Sequence, residues 1–149
     1  MRLSNRTIYG LRALVDLAYH GGDEPTQVRE IAERGDIPGR FLEQIFQDLK
    51  KSGIVSSKRG PGGGYLLDAT PDELTLARIF EILEDLPELP DVACEERVKT
   101  ASKIADVACR EVVGQMVASL EDITLADLVR RGEELGLARK GYEGFVYVI

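Results

Sequence analysis

The segment from Gly53 to Leu67 combines residue types that can contact phosphate groups. Two short apolar runs flank a tip that carries two cations, one proline and four glycines. The pattern predicts a β-hairpin, because glycines supply the backbone angles that a tight tip requires. Lys58 and Arg59 suit phosphate or minor-groove contacts, and glycine lets backbone amides approach a partner closely. The glycines predicted to take part are Gly60, Gly62 and Gly63.

A helical pattern directly upstream of the hairpin carries polar side chains that can read base edges. The predicted helix spans residues 39–52 and follows a Gly-Asp-Ile-Pro break, where the proline suits a helix start. Gln44 can pair with adenine, Glu43 can accept a hydrogen bond from cytosine, and Arg40 can reach guanine or a phosphate. Five apolar residues of this helix are predicted to point inward, namely Phe41, Leu42, Ile45, Phe46 and Leu49.

The elements around these two segments predict a winged helix-turn-helix, a fold that binds duplex DNA. Ser4 and Thr26 are predicted to cap two helices that precede the helix at 39–52. In this layout the amino-terminal turns of helix 39–52 enter the major groove, and the wing at 54–67 lies beside it. We therefore predict a mainly α-helical chain with a small β-hairpin wing.

The second half of the chain predicts a linker and a long helix. Thr75 starts a fourth helix, and two prolines within residues 86–90 then interrupt regular structure. A long helix to about Leu120, a short final helix and an aromatic-aliphatic tail follow. The predicted organisation is a DNA-binding domain at 1–85, a linker at 86–97, and a dimerisation helix, final helix and docking tail at 98–149.

The long helix carries an apolar seam, which predicts a close contact with another helix. A cysteine in such a seam behaves as a small hydrophobe. Cys94 lies in the linker beside Glu95 and Glu96, and these carboxylates disfavour its thiolate form. The seam consists of Ala101, Ala105, Ala108, Cys109, Val112, Met116 and Leu120.

The overall charge is acidic, but the acid is unevenly distributed. The 149 residues carry a net charge of −7, with 44% hydrophobic and 30% charged residues. Residues 1–70 hold 10 Lys/Arg and 9 Asp/Glu, whereas residues 71–149 hold 9 and 17. A near-neutral first half can still present a local basic face to DNA. No apolar run approaches the length of a membrane span, so we expect a cytoplasmic protein without a membrane partner.

Several motifs resemble those of the Rrf family of winged-helix transcriptional regulators. The resemblance covers the DNA-binding half nearly end to end, and the run from Arg59 to Tyr65 is the most specific part of it. The matching motifs are Met-Arg-Leu-Ser at the amino terminus, Tyr9-Gly, Ala13-Leu, Ile31-Ala-Glu-Arg, Phe41-Leu-Glu-Gln, Leu49-Lys-Lys-Ser-Gly-Ile-Val, Arg59-Gly-Pro-Gly-Gly-Gly-Tyr-Leu-Leu and Asp122-Ile-Thr-Leu-Ala-Asp-Leu.

The resemblance implies a homodimeric regulator, joined through the long helix, that binds a near-palindromic operator and represses transcription. By position, Glu43, Gln44 and Arg59 match DNA-contacting residues of the family, whereas Arg40 departs from its pattern. Cluster-binding members hold iron–sulfur with three closely spaced cysteines, and this chain has two cysteines with fourteen residues between them. The chain thus looks more like the clusterless CymR branch, which implies no cofactor and an enzyme of cysteine synthesis as a further partner.

Two alternatives remain open at this level. The first keeps the fold but makes the protein an iron–sulfur or thiol redox sensor that uses Cys94, Cys109 and other ligands. The second is a protein–protein interaction module that acts through the acidic half without binding DNA by itself. An enzymatic function has no positive support among the residues.

Overall fold

The computed structural model describes residues 3–84 and 101–137, which form a mainly helical fold with one β-hairpin. The fold class predicted from the sequence is confirmed. The predicted linker with Cys94 and the carboxyl-terminal tail lie outside the described residues. In chain order the elements are α1 Asn5–His20, α2 Val28–Gly35, α3 Gly39–Lys51, β1 Val55–Lys58, β2 Gly64–Leu67, α4 Leu76–Leu83, α5 Ala101–Glu121 and α6 Leu125–Glu134.

Helix α1 begins at the predicted cap and is joined there to the end of α4. The hydroxyl of Ser4 accepts a hydrogen bond from the Thr7 N–H at 3.2 Å. The Glu84 carboxylate accepts from the Ser4 N–H at 3.2 Å, from the Ser4 hydroxyl at 2.8 Å and from the Thr7 hydroxyl. These hydrogen bonds lower the pKa of Glu84, with the Thr7 hydroxyl as the largest cause. The carboxylate therefore connects two elements that are far apart in sequence.

One apolar core lies between the first four helices and the base of the hairpin. Each helix contributes residues at three- and four-residue spacing, and each fully buried large aliphatic side chain contributes roughly 1.5–3 kcal/mol. The largest side chains with under 2% exposure are those of Phe46, Leu14, Ile31, Leu42, Ile45, Leu49, Ile79, Leu125, Val55 and Thr7.

Helix α6 shares this core, although it belongs to the second half of the sequence. The Leu76 N–H donates to the Ile123 carbonyl at 2.8 Å, and the Leu125 N–H donates to the Leu74 carbonyl at 2.8 Å. Thr124 and Asp127 form a reciprocal capping box at the start of α6, which then packs against α1. The predicted division at 1–85, 86–97 and 98–149 stays a prediction, but α6 is built into the core of the first region.

The predicted capping role of Thr26 is wrong. Gln27 stands at the N-cap of α2 and makes no side-chain capping bond. Thr26 instead forms an isolated antiparallel bridge with Tyr65 of β2, which extends the hairpin by a third short segment. Its backbone is thus used for pairing with the wing rather than for starting α2.

No helix within 3–84 or 101–137 is long and apolar enough to cross a bilayer.

Candidate nucleic-acid interface

Helix α3 has one buried face and one polar exposed face. Leu42, Ile45, Phe46 and Leu49 are 0–2% exposed and attach the helix to the core. The predicted base-reading side chains are exposed: Arg40 precedes the buried residues, and Glu43 and Gln44 lie between Leu42 and Ile45. Burial of one face holds the helix rigidly, so the opposite face can be presented to a partner in a defined orientation.

The turn before α3 is tight and sets the angle between α2 and α3. Asp36 ends α2 in the left-handed conformation with φ 50°, and the Ile37 N–H donates to the Ala32 carbonyl at 2.9 Å. The Ile37 side chain is 5% exposed, so it inserts into the core between the two helices. This arrangement is the helix-turn-helix that the Gly-Asp-Ile-Pro break predicts.

The hairpin tip adopts a shape that requires glycine. The strands pair antiparallel from Val55 with Leu67 to Lys58 with Gly64. Gly60 and Gly62 have φ of 101° and 75°, a region that other residues rarely adopt. A Cβ atom on Gly63 would lie 2.3 Å from the Lys58 carbonyl oxygen. The tip is therefore compact and offers backbone rather than side-chain bulk to a partner.

Three contacts attach the wing to the rest of the domain. The rings of Phe46 on α3 and Tyr65 on β2 stack with centroids 4.1 Å apart and planes 10° from parallel. Thr26 and Tyr65 exchange backbone hydrogen bonds at 2.9 and 2.8 Å. Lys50 of α3 donates to the Ser57 hydroxyl of β1 at 2.6 Å. Because α3 and the wing are held together, a single surface contains both predicted DNA-contacting segments.

The Asp48 carboxylate on α3 is paired with two cations of the protein itself. Arg6 of α1 and Lys51 both donate to the Asp48 carboxylate, the latter at 3.1 Å. The hydrogen bond from Arg6, followed by that from Lys51, lowers the pKa of Asp48. The same contacts join α1 to α3 and reduce the repulsion between this carboxylate and an approaching phosphate.

The structure exposes nearly all of the predicted contact residues. Seven of them are exposed and Gly63 is half-buried. Sequence reasoning missed Lys50 and Lys51, which are also exposed on α3; their signal was their position directly after the inward-facing Leu49. The residues predicted from the sequence are Arg40, Glu43, Gln44, Lys58, Arg59, Gly60, Gly62 and Gly63.

The prediction that Phe41 points into the core is wrong. Its side chain is 37% exposed in the first turn of α3. Its ring lies 5.8 Å from the ring of Tyr9 on α1, and the Arg40 guanidinium lies 5.1 Å from its centroid. The helical period identified the apolar face correctly from Leu42 onward, but this first-turn residue lies at the edge of that face.

Helix α5 exposes most of its predicted seam. Val112 is 66% exposed, Ile104, which precedes the seam residue Ala105, is 62% exposed, and Cys109 is an exposed free cysteine. Met116 and Leu120, at the other end of the seam, are partly buried. A different set of α5 side chains, including Val113 and Val117, is half-buried. The exposed part of the seam is thus available for contact with another chain.

Together, the helix pair, the tight turn and the wing define a DNA-binding protein of the winged helix-turn-helix class. The chain belongs to the Rrf2 family, whose model is described as "Iron-dependent Transcriptional regulator" and matches residues 3–131. The predicted family and regulatory function are confirmed, and the protein is a transcriptional regulator rather than an enzyme.

Relatives and solved structures agree with this assignment. The chain is 34% identical over 134 residues to protein rrf2 of Nitratidesulfovibrio vulgaris, which covers 87% of this chain and 88% of that one. It is 32% identical over 139 residues to the regulator IscR of Erwinia tasmaniensis, and the match covers 93% of this chain and 84% of that one. IscR of T. potens superposes with a TM-score of 0.76 at 30% identity, covering 93% of both chains. CymR, the global cysteine regulator of B. subtilis, superposes with a TM-score of 0.68 at 30% identity, and the match covers 88% of this chain and 98% of that one.

The described residues do not fit the iron group that the family description implies. Cys109 lies within the third turn of α5, on an exposed helical surface. Within residues 3–84 and 101–137, no three His, Cys, Asp or Glu side chains are close enough to hold a metal ion. Cys94 lies outside these residues, so the predicted absence of a cofactor and the alternative cluster both stay predictions.

Proposed function

We propose that this regulator acts in the cytoplasm as a homodimeric repressor that binds a near-palindromic operator. The two copies of α3 enter successive major grooves, and the wings reach the flanking minor grooves. One observation carries the proposal: α3 exposes its polar face while the Phe46–Tyr65 stack attaches the helix to the wing. Binding of both segments to one duplex blocks access to the DNA that they cover.

The residues divide into two groups by the DNA feature that they can contact. Glu43 and Gln44 offer acceptor and amide groups suited to base edges, and Arg40 can reach guanine or phosphate. Lys58, Arg59 and the glycine amides of the tip suit phosphates or a narrow minor groove. Lys50 extends the phosphate-contacting group at the end of α3, because its ammonium group already lies on the wing side.

Dimerisation is supported by two complementary apolar surfaces on the same chain. One is the exposed part of α5 around Ile104 and Val112. The other is a groove of about 710 Å³ between α1 and α6, whose lining includes Leu11, Val15 and Leu128. If α5 of a second copy lies along this groove, two-fold symmetry places α5 of the first copy along the groove of the second. Both surfaces are then covered in both copies. Exposed apolar area of this kind is typical of a protein–protein contact.

Binding to DNA can be tested with the full-length protein and duplexes selected from a randomised pool. We expect enrichment of a two-part, near-palindromic sequence and a shift in electrophoretic mobility that weakens steeply with salt. Light scattering of the protein–duplex complex should give two chains per duplex. Failure to select any duplex at low salt would contradict the proposed function and favour the interaction module.

We further propose that the protein works without an iron–sulfur cluster. The support is the small number of cysteines. The sequence has two, and Cys109 is exposed near the middle of a helix. Clusters are commonly held by four protein ligands, most often cysteines. The absorption spectrum of anaerobically purified protein tests this, and a visible band that disappears in Cys94→Ala would overturn it.

The resemblance to CymR also extends the proposal to a partner enzyme of cysteine synthesis. The support is the 30% identity to a regulator described as the global cysteine regulator of its organism. Co-purification of this chain with a purified cysteine synthase, and a change in duplex affinity on adding that enzyme, are the expected results. No association at micromolar concentrations would contradict this part of the proposal.

A further inference from the structure

Two aromatic rings, with one arginine at each end, form a row of four side chains between α1 and the first turn of α3. The Arg12 guanidinium lies 5.9 Å from the centroid of the Tyr9 ring. The Tyr9 ring lies 5.8 Å from the Phe41 ring, tilted by 54°, and the Arg40 guanidinium lies 5.1 Å from the Phe41 centroid. We call Arg12, Tyr9, Phe41 and Arg40 the α1–α3 stack.

Packing into the core does not account for the position of Phe41. The four other apolar residues of α3 are at most 2% exposed, whereas Phe41 is 37% exposed. Its ring instead contacts two neighbours, the Tyr9 ring from α1 and the guanidinium of Arg40. An aromatic ring held against the body of the protein can act as a platform for a flexible cation.

We propose that Phe41 is a positioning residue for Arg40 and thereby determines how the protein reads one position of its operator. The inference rests on the proposed binding of α3 to DNA. Arg40 lies in the first turn of α3, the part of a recognition helix that contacts base edges. A free arginine side chain loses rotamer freedom when it binds, and stacking before binding reduces that loss. The ring also restricts where the planar guanidinium can make its paired hydrogen bonds.

The far end of the stack is anchored to the turn that precedes α3. Arg12 donates to the Gly35 carbonyl at 3.3 Å, at the last residue of α2. Tyr9 therefore packs against a cation that is tied to α2 and against a ring that belongs to α3. Through these contacts the orientation of Phe41 depends on α1 and on the helix-turn-helix angle, not only on α3 itself.

The test is a double-mutant cycle on the duplex that the full-length wild-type protein selects from a randomised pool. Phe41→Leu keeps an apolar residue but removes the platform, and Arg40→Ala removes the cation. Cation–π contacts at exposed sites correspond to about 2- to 5-fold in affinity. We expect Phe41→Leu to weaken binding by about that factor and to relax base preference at the same position as Arg40→Ala. In the Arg40→Ala background, Phe41→Leu should have no further effect.

Conservative variants separate positioning from loss of fold. Phe41→Tyr retains the ring and should restore both affinity and base preference, and thermal unfolding should show all variants folded. Tyr9→Leu should reproduce the effect of Phe41→Leu, whereas Tyr9→Phe should not. A Phe41→Leu loss that adds in full to that of Arg40→Ala would refute the positioning role while leaving DNA binding intact. A protein that selects no duplex would overturn both the positioning role and the proposed function.

Discussion

A Cβ atom on Gly64 would lie 2.2 Å from the carbonyl oxygen of Thr26. The same two backbone segments are joined by the hydrogen bonds between Thr26 and Tyr65. The close approach that attaches the wing to the segment before α2 is thus possible only with glycine at position 64. This backbone contact, together with the Phe46–Tyr65 stack, makes the hairpin a fixed part of the domain.

Gly64→Ala should separate the wing from the segment before α2. Because the clash is with backbone, the strand must shift, and we expect a loss of about 1–3 kcal/mol in the free energy of unfolding. Duplex affinity should fall as well, since the wing loses its position beside α3. Denaturant unfolding and a DNA titration at fixed salt measure the two effects.

Gly39→Ala is the matched control for that substitution. Gly39 is the first residue of α3, and a Cβ atom there meets nothing within 4 Å. We expect a change within about 1 kcal/mol, in the stabilising direction that alanine gives in a helix. Equal stability of Gly64→Ala and Gly39→Ala would show that the Thr26 bridge does not hold the wing.

Local patterns in the sequence predict the helices and the hairpin well, because those elements depend on nearby residues. The helical spacing around Leu42 and the glycines of the tip identify the two segments that are proposed to contact DNA. The role of Thr26 is not visible in the sequence, because its partner is a backbone group 39 residues away. The exposure of Phe41 depends similarly on Tyr9 in another helix, which a helical period cannot reveal.

Arg59→Ala should weaken DNA binding without changing which sequence is preferred. Arg59 is exposed at the wing tip, where it can contact phosphate or a minor groove. We expect a uniform loss across sequences and a decrease of about one in the slope of log affinity against log salt. Titrations of two unrelated duplexes at several salt concentrations measure both quantities. A loss confined to one sequence would instead assign Arg59 to base readout.

Gln44→Ala should change which sequence is preferred, in contrast to Arg59→Ala. Gln44 is exposed on α3 between the buried Leu42 and Ile45, so its amide can reach a base edge. We expect a loss of about 1–3 kcal/mol on the preferred duplex and relaxed preference at one base-pair position. Selection from a randomised pool with wild type and variant identifies that position. The same weakening on every duplex would contradict base readout by this residue.

The Glu84 carboxylate should make the domain sensitive to acid. Its pKa is lowered from the ordinary value of 4.5 by hydrogen bonds from Thr7 and Ser4. A lowered folded pKa stabilises the protein above 4.5, and this contribution is lost as the pH falls through the folded value. Glu84→Gln should therefore be less stable than wild type at neutral pH. This difference in unfolding free energy should shrink as the pH falls below 4.5.

Thr7→Val is the companion variant, because it removes the hydroxyl that lowers the pKa of Glu84 most while nearly preserving shape. Its unfolding free energy should depend less on pH than that of wild type between about pH 5 and 3. Urea unfolding of the three proteins across this range gives the comparison. A difference between wild type and Glu84→Gln that is constant with pH would show that the carboxylate contributes no ionised contact.

Val112→Glu should separate dimerisation from folding. Val112 is 66% exposed in the single chain, so a glutamate there leaves the core intact. In the proposed dimer the same position is covered by the second copy, where an unpaired carboxylate is strongly unfavourable. We expect a folded monomer at micromolar concentrations at which the wild type is a dimer, as measured by sedimentation equilibrium.

The DNA-binding consequence follows from the geometry of two half-sites. A Val112→Glu monomer keeps α3 and the wing, so it should bind a single half-site like one wild-type subunit, but lose the added affinity of the second subunit on the full duplex. Glu111→Gln is the control, because it changes a neighbouring exposed residue outside the predicted seam and should remain dimeric. If Val112→Glu remains a dimer with wild-type affinity for the full duplex, the interface does not include this part of α5.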